Sequence, residues 1–436
     1  MTLFAWQGAA SSSPDVVLHV LLALLAVIVA ARGCGALCKL IHQPPVIGEV
    51  IAGILIGPSL LGRVLPGVSG YLLPTSVAPF LSMIAQIGVI LFMFLVGLEL
   101  DLSQVKHRTR AIVAISQSSI IVPFVLGGIL ALWLYPRLSS SDVHPLVFAL
   151  FIAVSLSITA FPVLARILTD RGIQKTRLGV ISLTCAAIND VTAWCLLALL
   201  IAIVNARISG LAVTIGLTVL YVAFMILVAR PLIRQAVRAQ ELRESVSQGA
   251  FAVVVICLLL STIATEASGI HAIFGAFLLG ALIPHDSRLA RELTLKLEDL
   301  VVVLFLPAFF AFIGLRTQIG LVHGTYQWLI FGVILATASI GKFGGTFVAA
   351  RISALGNRDA ASLGILMNTR GLMELIVLNV GLDLHILSPT LFAMMVLMAV
   401  ITTFATTPLL HLVTRGAAEG GAARSNSLTT GVSFSA

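Results

Sequence analysis

Charge is scarce in this sequence. Asp, Glu, Lys and Arg make up 10% of its 436 residues, while hydrophobic residues reach 59%. A soluble domain averages about 25% charged residues, so an ordinary globular enzyme is excluded, and so is a disordered chain. A membrane span takes about 20 apolar residues, which leaves no stretch of about 100–150 residues for a separate soluble domain. Nucleotide and protease motifs are also missing: there is no Gly-x-x-x-x-Gly-Lys, no His-Glu-x-x-His and no Gly-x-Gly-x-x-Gly after a strand. The string Gly67-Val-Ser-Gly70 reads as a turn in a Pro/Gly-rich loop rather than a protease serine. Cysteines are few. Cys34, Cys38, Cys185, Cys195 and Cys257 all lie in apolar runs without a Cys-x-x-Cys pair, and Cys34 and Cys38, one turn apart, have no His or acidic partner to make a metal pair.

What is present is a series of apolar runs. They predict thirteen membrane helices, over 16–40, 46–62, 79–99, 110–135, 145–168, 178–205, 209–229, 249–267, 270–284, 299–315, 326–352, 361–382 and 390–413. Basic residues order them. With the N-terminus outside, outer loops carry only Arg63, Arg137, Arg207 and Arg316, while Arg32, Lys342 and Arg370 fall within spans and the rest of the 26 collect inside. Lys and Arg concentrate in cytoplasmic loops, so the net charge of +8 reads as topology, N-out and C-in, and not as nucleic-acid binding. The first run has no Lys or Arg ahead of it and continues past Arg32 to Leu40, so it reads as a retained span and not a cleaved signal.

The runs repeat. The second, Pro45 to Pro58, matches the ninth, Gly269 to Pro284, in its Gly-rich apolar pattern; the third, around Leu91–Leu98, matches the tenth, around Leu304–Leu315. Helices one to six thus recur as eight to thirteen around a connector, in opposite membrane orientation. Inverted repeats place a substrate site near the midplane between interrupted helices. The fifth run, with Ser155-Leu-Ser-Ile-Thr-Ala-Phe-Pro162, and the twelfth, with Asn368-Thr-Arg-Gly371, are the interrupted pair. Proline removes a backbone donor, Ser and Thr can satisfy freed backbone groups, and Gly371 offers unusual backbone angles. Crossing broken helices set dipole ends against each other and need compensating charges.

Ionisable groups at mid-membrane are functional by default. Asp190, in the middle of the sixth run, is the sharpest candidate: a carboxylate there can exchange a proton for a metal ion, and hard cations prefer oxygen ligands such as Asn189, Thr159, Ser155 and freed carbonyls. Lys342 has Asp190 or the negative end of a half-helix as its natural partner, and it can equally be structural. Arg370 and Glu374, spaced i, i+4, can pair on one helix face, as dipole compensation first and cation contact second. Glu49, Glu99 and Asp101 read as interfacial carboxylates or as an inner vestibule for cations. Gln86 reads as a lining residue or an interhelical hydrogen bonder, and His42, His271 and His285 as possible pH sensors. With no nucleotide motif, the energy source is an ion gradient.

Taken in order, Ser155-Leu-Ser-Ile-Thr-Ala-Phe-Pro-Val-Leu-Ala-Arg166, Asn189-Asp190, Lys342 and Asn368-Thr-Arg-Gly-Leu-Met-Glu-Leu375 resemble the monovalent cation:proton antiporter-2 family, in the manner of plant cation/proton exchangers and bacterial sodium or potassium/proton antiporters. The resemblance covers about residues 16–413. It implies an all-α polytopic membrane protein with about 13 transmembrane helices in the sodium/proton-antiporter fold, two inverted six-helix repeats and two broken crossing helices. It further implies a homodimer in membrane lipid working by elevator-like alternating access. Under it, residues 16–99 and 249–315 are dimerisation or scaffold helices, 110–205 and 326–413 the ion-transport core, 209–229 the linker helix and 414–436 a flexible cytoplasmic tail. Asp190 then binds cation or proton, Asn189 and Lys342 tune its charge balance, and Arg370 and Glu374 compensate charge. Two departures stand out. Asn189 replaces the first of two adjacent aspartates found in electrogenic relatives, and the short Gly/Ser/Thr-rich tail leaves no room for the nucleotide-binding domain of Kef-type relatives. The expectation is a Na+/H+ or K+/H+ antiporter of a bacterial inner membrane, electroneutral, with no cofactor, nucleotide or nucleic acid. A cation efflux channel and a sodium-coupled solute symporter are the alternatives.

Overall fold

The computed structural model describes residues 14–41, 43–74, 76–99, 110–139, 143–174, 176–205, 211–241, 247–268 and 271–429; His42 and Asp101 lie outside them. Helices dominate: α1 (Pro14–Leu40), α2 (Pro45–Ile56), α3 (Ala78–Glu99), α4 (Arg110–Leu138), α5 (Pro145–Ser157), α6 (Phe161–Asp170), α7 (Arg177–Asn205) and α8 (Leu211–Phe224). There follow α9 (Gln248–Ala267), α10 (Ala272–Leu282), α11 (Arg288–Leu300), α12 (Leu306–Arg316), α13 (Gly324–Ile352), α14 (Asn357–Met367), α15 (Leu372–Asp383) and α16 (Pro389–Thr429). The described β-pairing is an isolated bridge between Ser139 and Leu387.

Ten helices among the described residues are long and apolar enough to cross a membrane, or eleven when α14 and α15, bent by 41°, are taken as one span. The chain is therefore an all-helical polytopic membrane protein. The difference from thirteen expected spans has a plain cause: the fifth run is divided into α5 and α6, of 13 and 10 residues, and the ninth yields α10, of 11 residues, each too short to cross alone at 1.5 Å per residue.

Three further expectations change. Gly67–Gly70 belongs to a short helix, Pro66–Leu72, and not to a turn. The last helix continues through Thr429, into the stretch expected as a tail. The basic stretch after residue 287, expected as an inner loop, is α11: Leu289, Leu293 and Leu297 recur every fourth residue and are buried, while Glu292 pairs with Arg288 at 3.3 Å and Lys296 at 4.0 Å on the outer side. Ser287 caps this helix by accepting from the Ala290 N–H.

The chain folds as two compact units, one of Met1–Leu40, Gly48–Asp101 and Ile201–Leu321, the other of Ile41–Ile47, Leu102–Leu200 and Val322–Ala436. The first is held by glycine crossings that occur twice. A β-carbon on Gly48 of α2 would run into the Cys34 carbonyl of α1, and one on Gly275 of α10 into the Ser261 carbonyl of α9. Five residues further along each helix, Gly53 abuts the Phe310 carbonyl of α12 and Gly280 the Phe94 carbonyl of α3. Gly314 of α12 and Gly97 of α3 complete the two crossings from the other side. The pairs fall where the sequence repeat puts equivalent residues, since lipid provides no hydrophobic drive between helices and close backbone approach takes its place.

Here backbone, not a movable side chain, fills the space. Gly280→Ala is expected to destabilise the protein by about 1–3 kcal/mol. Gly128→Ala in α4, where nothing lies within 4 Å, should be neutral or stabilising by about 0.5–1 kcal/mol. Unfolding midpoints of the two purified variants in detergent check the contrast.

Candidate functional site

Two helices of the second unit stop part-way. α5 ends at Ser157 and α6 begins at Phe161, with extended backbone at Ile158 and Ala160. Pro162 sets the place: it has no N–H for the carbonyl of Ile158, four residues back, so a helix running straight through would lose that bond. The second break separates α14, ending at Met367, from α15, beginning at Leu372. Gly371 there has φ 171°, ordinary extended backbone, so the expected role in unusual angles is not the reason for glycine. Room is the reason, because a β-carbon would press on Val163 and Ala160 at the start of α6.

The breaks satisfy each other. The Ala160 N–H donates to the Thr369 carbonyl at 3.0 Å, and the Thr159 hydroxyl to the Met367 carbonyl at 3.1 Å. From α16, Thr403 Oγ1 accepts from the Arg370 N–H at 2.9 Å and donates to the Arg370 carbonyl at 2.6 Å.

The two buried cations among the described residues sit at the carbonyl end of α5, the negative end of its dipole. Arg370 donates to the carbonyls of Ser155 (3.2 Å) and Leu156 (2.9 Å), and Lys342 to those of Ser157 and Ser119 (3.0 Å for the latter). The helix end holds the Lys342 ammonium by hydrogen bonds; no ion pair within 4.0 Å joins it to Asp190 among the described residues, and the two charges interact at longer range. Arg370 also pairs with Glu374 at 2.9 Å, both fully buried. Glu374 lies in the first turn of α15, where a negative charge suits the dipole.

Asp190, half-way along α7, is 5% exposed. The Phe161 N–H at the start of α6 hydrogen-bonds to its carboxylate, again an anion at a helix N-terminus. Its Oδ1 has no partner, and neither do the buried Ser155 Oγ, Asn368 Oδ1, Arg370 Nε and Glu374 Oε2. Orphaned buried polar atoms are rare in folded proteins, and four of these five are oxygens of the hard type a small cation takes. Asp190 opens on a small cavity whose described lining is otherwise Ile158, Ala193, Trp194, Leu197, Met373 and Val377.

Residues 20–414 match the family of transmembrane sodium/hydrogen exchangers. The chain belongs to the sodium/hydrogen exchanger family. It is 43% identical over 397 residues to the Na+/H+ antiporter NhaS4 of Synechocystis sp., covering 91% of this chain and 97% of that protein. It is 38% identical to cation/H+ antiporter 20 of Arabidopsis thaliana and 37% identical to K+/H+ antiporter 1 of Saccharomyces cerevisiae, of which it spans 49% and 45%. The sodium proton antiporter MjNhaP1 of Methanocaldococcus jannaschii shares its fold at a TM-score of 0.65 and 13% identity, over 92% of this chain and 98% of that one.

Of the residues expected to ligate a cation in this exchanger-family chain, Asp190 lines the cavity, whereas the side chains of Asn189, Thr159 and Ser155 are not in its described lining. The two ends of the Asn189 amide lie 2.7 Å from Ser116 Oγ and 2.7 Å from Ser119 Oγ of α4, and Thr159 Oγ1 is 3.3 Å away. With its nitrogen toward Ser116, the amide also reaches the Cys185 carbonyl at 3.2 Å. Ser116, Ser119 and Thr403 were not singled out from the sequence, although the polar run Ser116–Ser119 inside an apolar helix, and Thr402, Thr403, Thr406 and Thr407 in another, were the available signals. Among the remaining candidates, Glu49 is buried in α2 and Gln86 is exposed on α3, both in the first unit.

Removing Arg370 would leave Glu374 unpaired and two carbonyls of α5 without a donor. Breaking a buried pair costs about 3–5 kcal/mol, so Arg370→Met should lower stability by that order, and Arg370→Met with Glu374→Met by less. Thermal unfolding of the three proteins in detergent checks the order.

Proposed function

We propose that this chain is a secondary antiporter that exchanges a monovalent cation, Na+ or K+, for a proton at Asp190. The observation that carries the reading is Asp190 itself: a buried carboxylate in mid-helix, at a cavity, with one oxygen that nothing in the surrounding structure uses. The relatives named Na+/H+ and K+/H+ antiporters support the same exchange. One carboxylate serves both ions in turn, so binding of one excludes the other and the two fluxes are coupled.

Exchange proceeds in the membrane by elevator-like alternating access, in which the unit bearing Asp190 carries the ion between the two sides, in a homodimer with its N-terminus outside. One cation exchanges for one proton. Asn189 is neutral and engaged with Ser116 and Ser119, and Lys342 keeps its proton while two carbonyls accept from it. The loaded carrier then has equal charge in both directions.

Asp190→Asn should abolish cation-driven proton flux in proteoliposomes supplied separately with Na+, K+, Li+ and Rb+, while the protein still elutes as a folded species. Retained flux would sink the mechanism, and conductance without proton coupling would favour a channel. Stoichiometry has its own readout. On a solid-supported membrane, a cation jump should evoke no sustained charge movement, and a net current that follows imposed voltage would assign a second proton to Lys342.

A further inference from the structure

The segment Ile41–Ile47 groups with the unit that bears Asp190, although α1 before it and α2 from Gly48 onward group with the other. It is one of the places where the chain passes from one unit to the other. Its anchor is Gln43, a buried side chain whose Nε2 donates to the Phe404 carbonyl of α16 at 3.1 Å. That carbonyl is available for a definite reason. Pro408 stands inside α16, and having no N–H it cannot make the helical bond to the residue four before it, which is Phe404. The Gln43 amide oxygen makes no hydrogen bond, so donation to Phe404 is what the burial of this side chain secures.

The same turn of α16 holds the site. Thr403 grips the Arg370 backbone from both sides, Thr406 Oγ1 lies 3.4 Å from Thr369 Oγ1, and the Thr407 carbonyl accepts from Arg171, just beyond α6, at 2.8 Å. Residues 403–407 therefore gather the link, the α14–α15 break and the end of α6 in one place.

We propose that Gln43 is a positioning residue for exchange: by closing on the carbonyl that Pro408 leaves free, it fastens the 41–47 link to the turn of α16 that fixes Arg370, so that link and ion site move together. The proposal rests on the exchange reading above. Gln43 does not line the Asp190 cavity, so loosening it slows turnover without changing how the cation is bound.

Gln43→Leu keeps the bulk and removes the donor. In proteoliposomes its maximal exchange rate should fall about fivefold, the factor that one lost hydrogen bond corresponds to, with the apparent cation affinity unchanged. Pro408→Ala restores a helical donor to Phe404 and competes with Gln43, so it should slow exchange similarly, and the double variant should be no slower than either single one. If Pro408→Ala instead returns Gln43→Leu to full rate, Gln43 only satisfies a stray carbonyl and the proposal fails. It fails equally if Gln43→Leu exchanges at the normal rate or alters affinity together with rate. Hydrogen–deuterium exchange of peptides across residues 41–47 gives a readout that does not depend on transport: uptake should be faster in Gln43→Leu and in Pro408→Ala. Unchanged uptake overturns the anchor even where the leucine variant folds poorly, whereas absence of exchange in the unaltered protein overturns only the antiporter reading.

Discussion

The carbonyl end of α5 is the constraint around which the second unit is organised. A helix that stops inside hydrocarbon leaves carbonyls that water does not reach, and these must find donors within the protein. Successive carbonyls of Ser155, Leu156 and Ser157 are taken by Arg370 and Lys342. Two buried cations are costly by themselves, and Glu374 and Asp190 balance them, so that the four formal charges sum to zero when all are ionised. Glu374 is tied to Arg370. Asp190 and Glu374 each keep one oxygen without a partner, and of the two it is Asp190 that lines the described cavity.

Hydroxyls and one amide do the fine adjustment. Thr403 supplies both a donor and an acceptor to the backbone of Arg370, which no apolar side chain and no charged one can do with so little bulk. Ser116 and Ser119 hold the amide beside Asp190, and the Ser119 carbonyl takes Lys342. α4 and α16 thus act on the site through the groups that position it, without either helix entering the described cavity lining. The first unit follows different rules: its helices meet at glycines, backbone against backbone, with the same contacts made twice.

Much of this was legible in the residues. Hydrophobic runs marked where helices lie, and Pro162 marked the first break to within a turn, because proline acts on the carbonyl four residues before it whatever surrounds it. Asp190, Lys342, Arg370 and Glu374 stood out because charge in an apolar run has few explanations. Less was legible about partners. Lys342 had two candidates, and only the fold showed that it hydrogen-bonds to the end of α5 and meets Asp190 through charge at longer range. That the Thr159 hydroxyl donates to the Met367 carbonyl was likewise not legible, since that acceptor lies some two hundred residues away in the chain. Gly371 was credited with backbone freedom, when the crowding of Val163 and Ala160 is what excludes a side chain.

By itself the sequence determined the class of protein, the approximate helices, the first break and the charged residues, because apolar length, proline geometry and the cost of buried charge are local properties that need no knowledge of neighbours. Tertiary structure alone decided which carbonyl each cation meets, that α5 and α10 are too short to span alone, that Ser116, Ser119 and Thr403 belong to the site, and that Gln43 answers Pro408 across the chain. Those are pairings between residues far apart in sequence, Gln43 with Phe404 and Arg370 with Ser155. Hydrogen bonds of this kind depend on ångström-scale distance and direction, which no linear pattern of residue types carries.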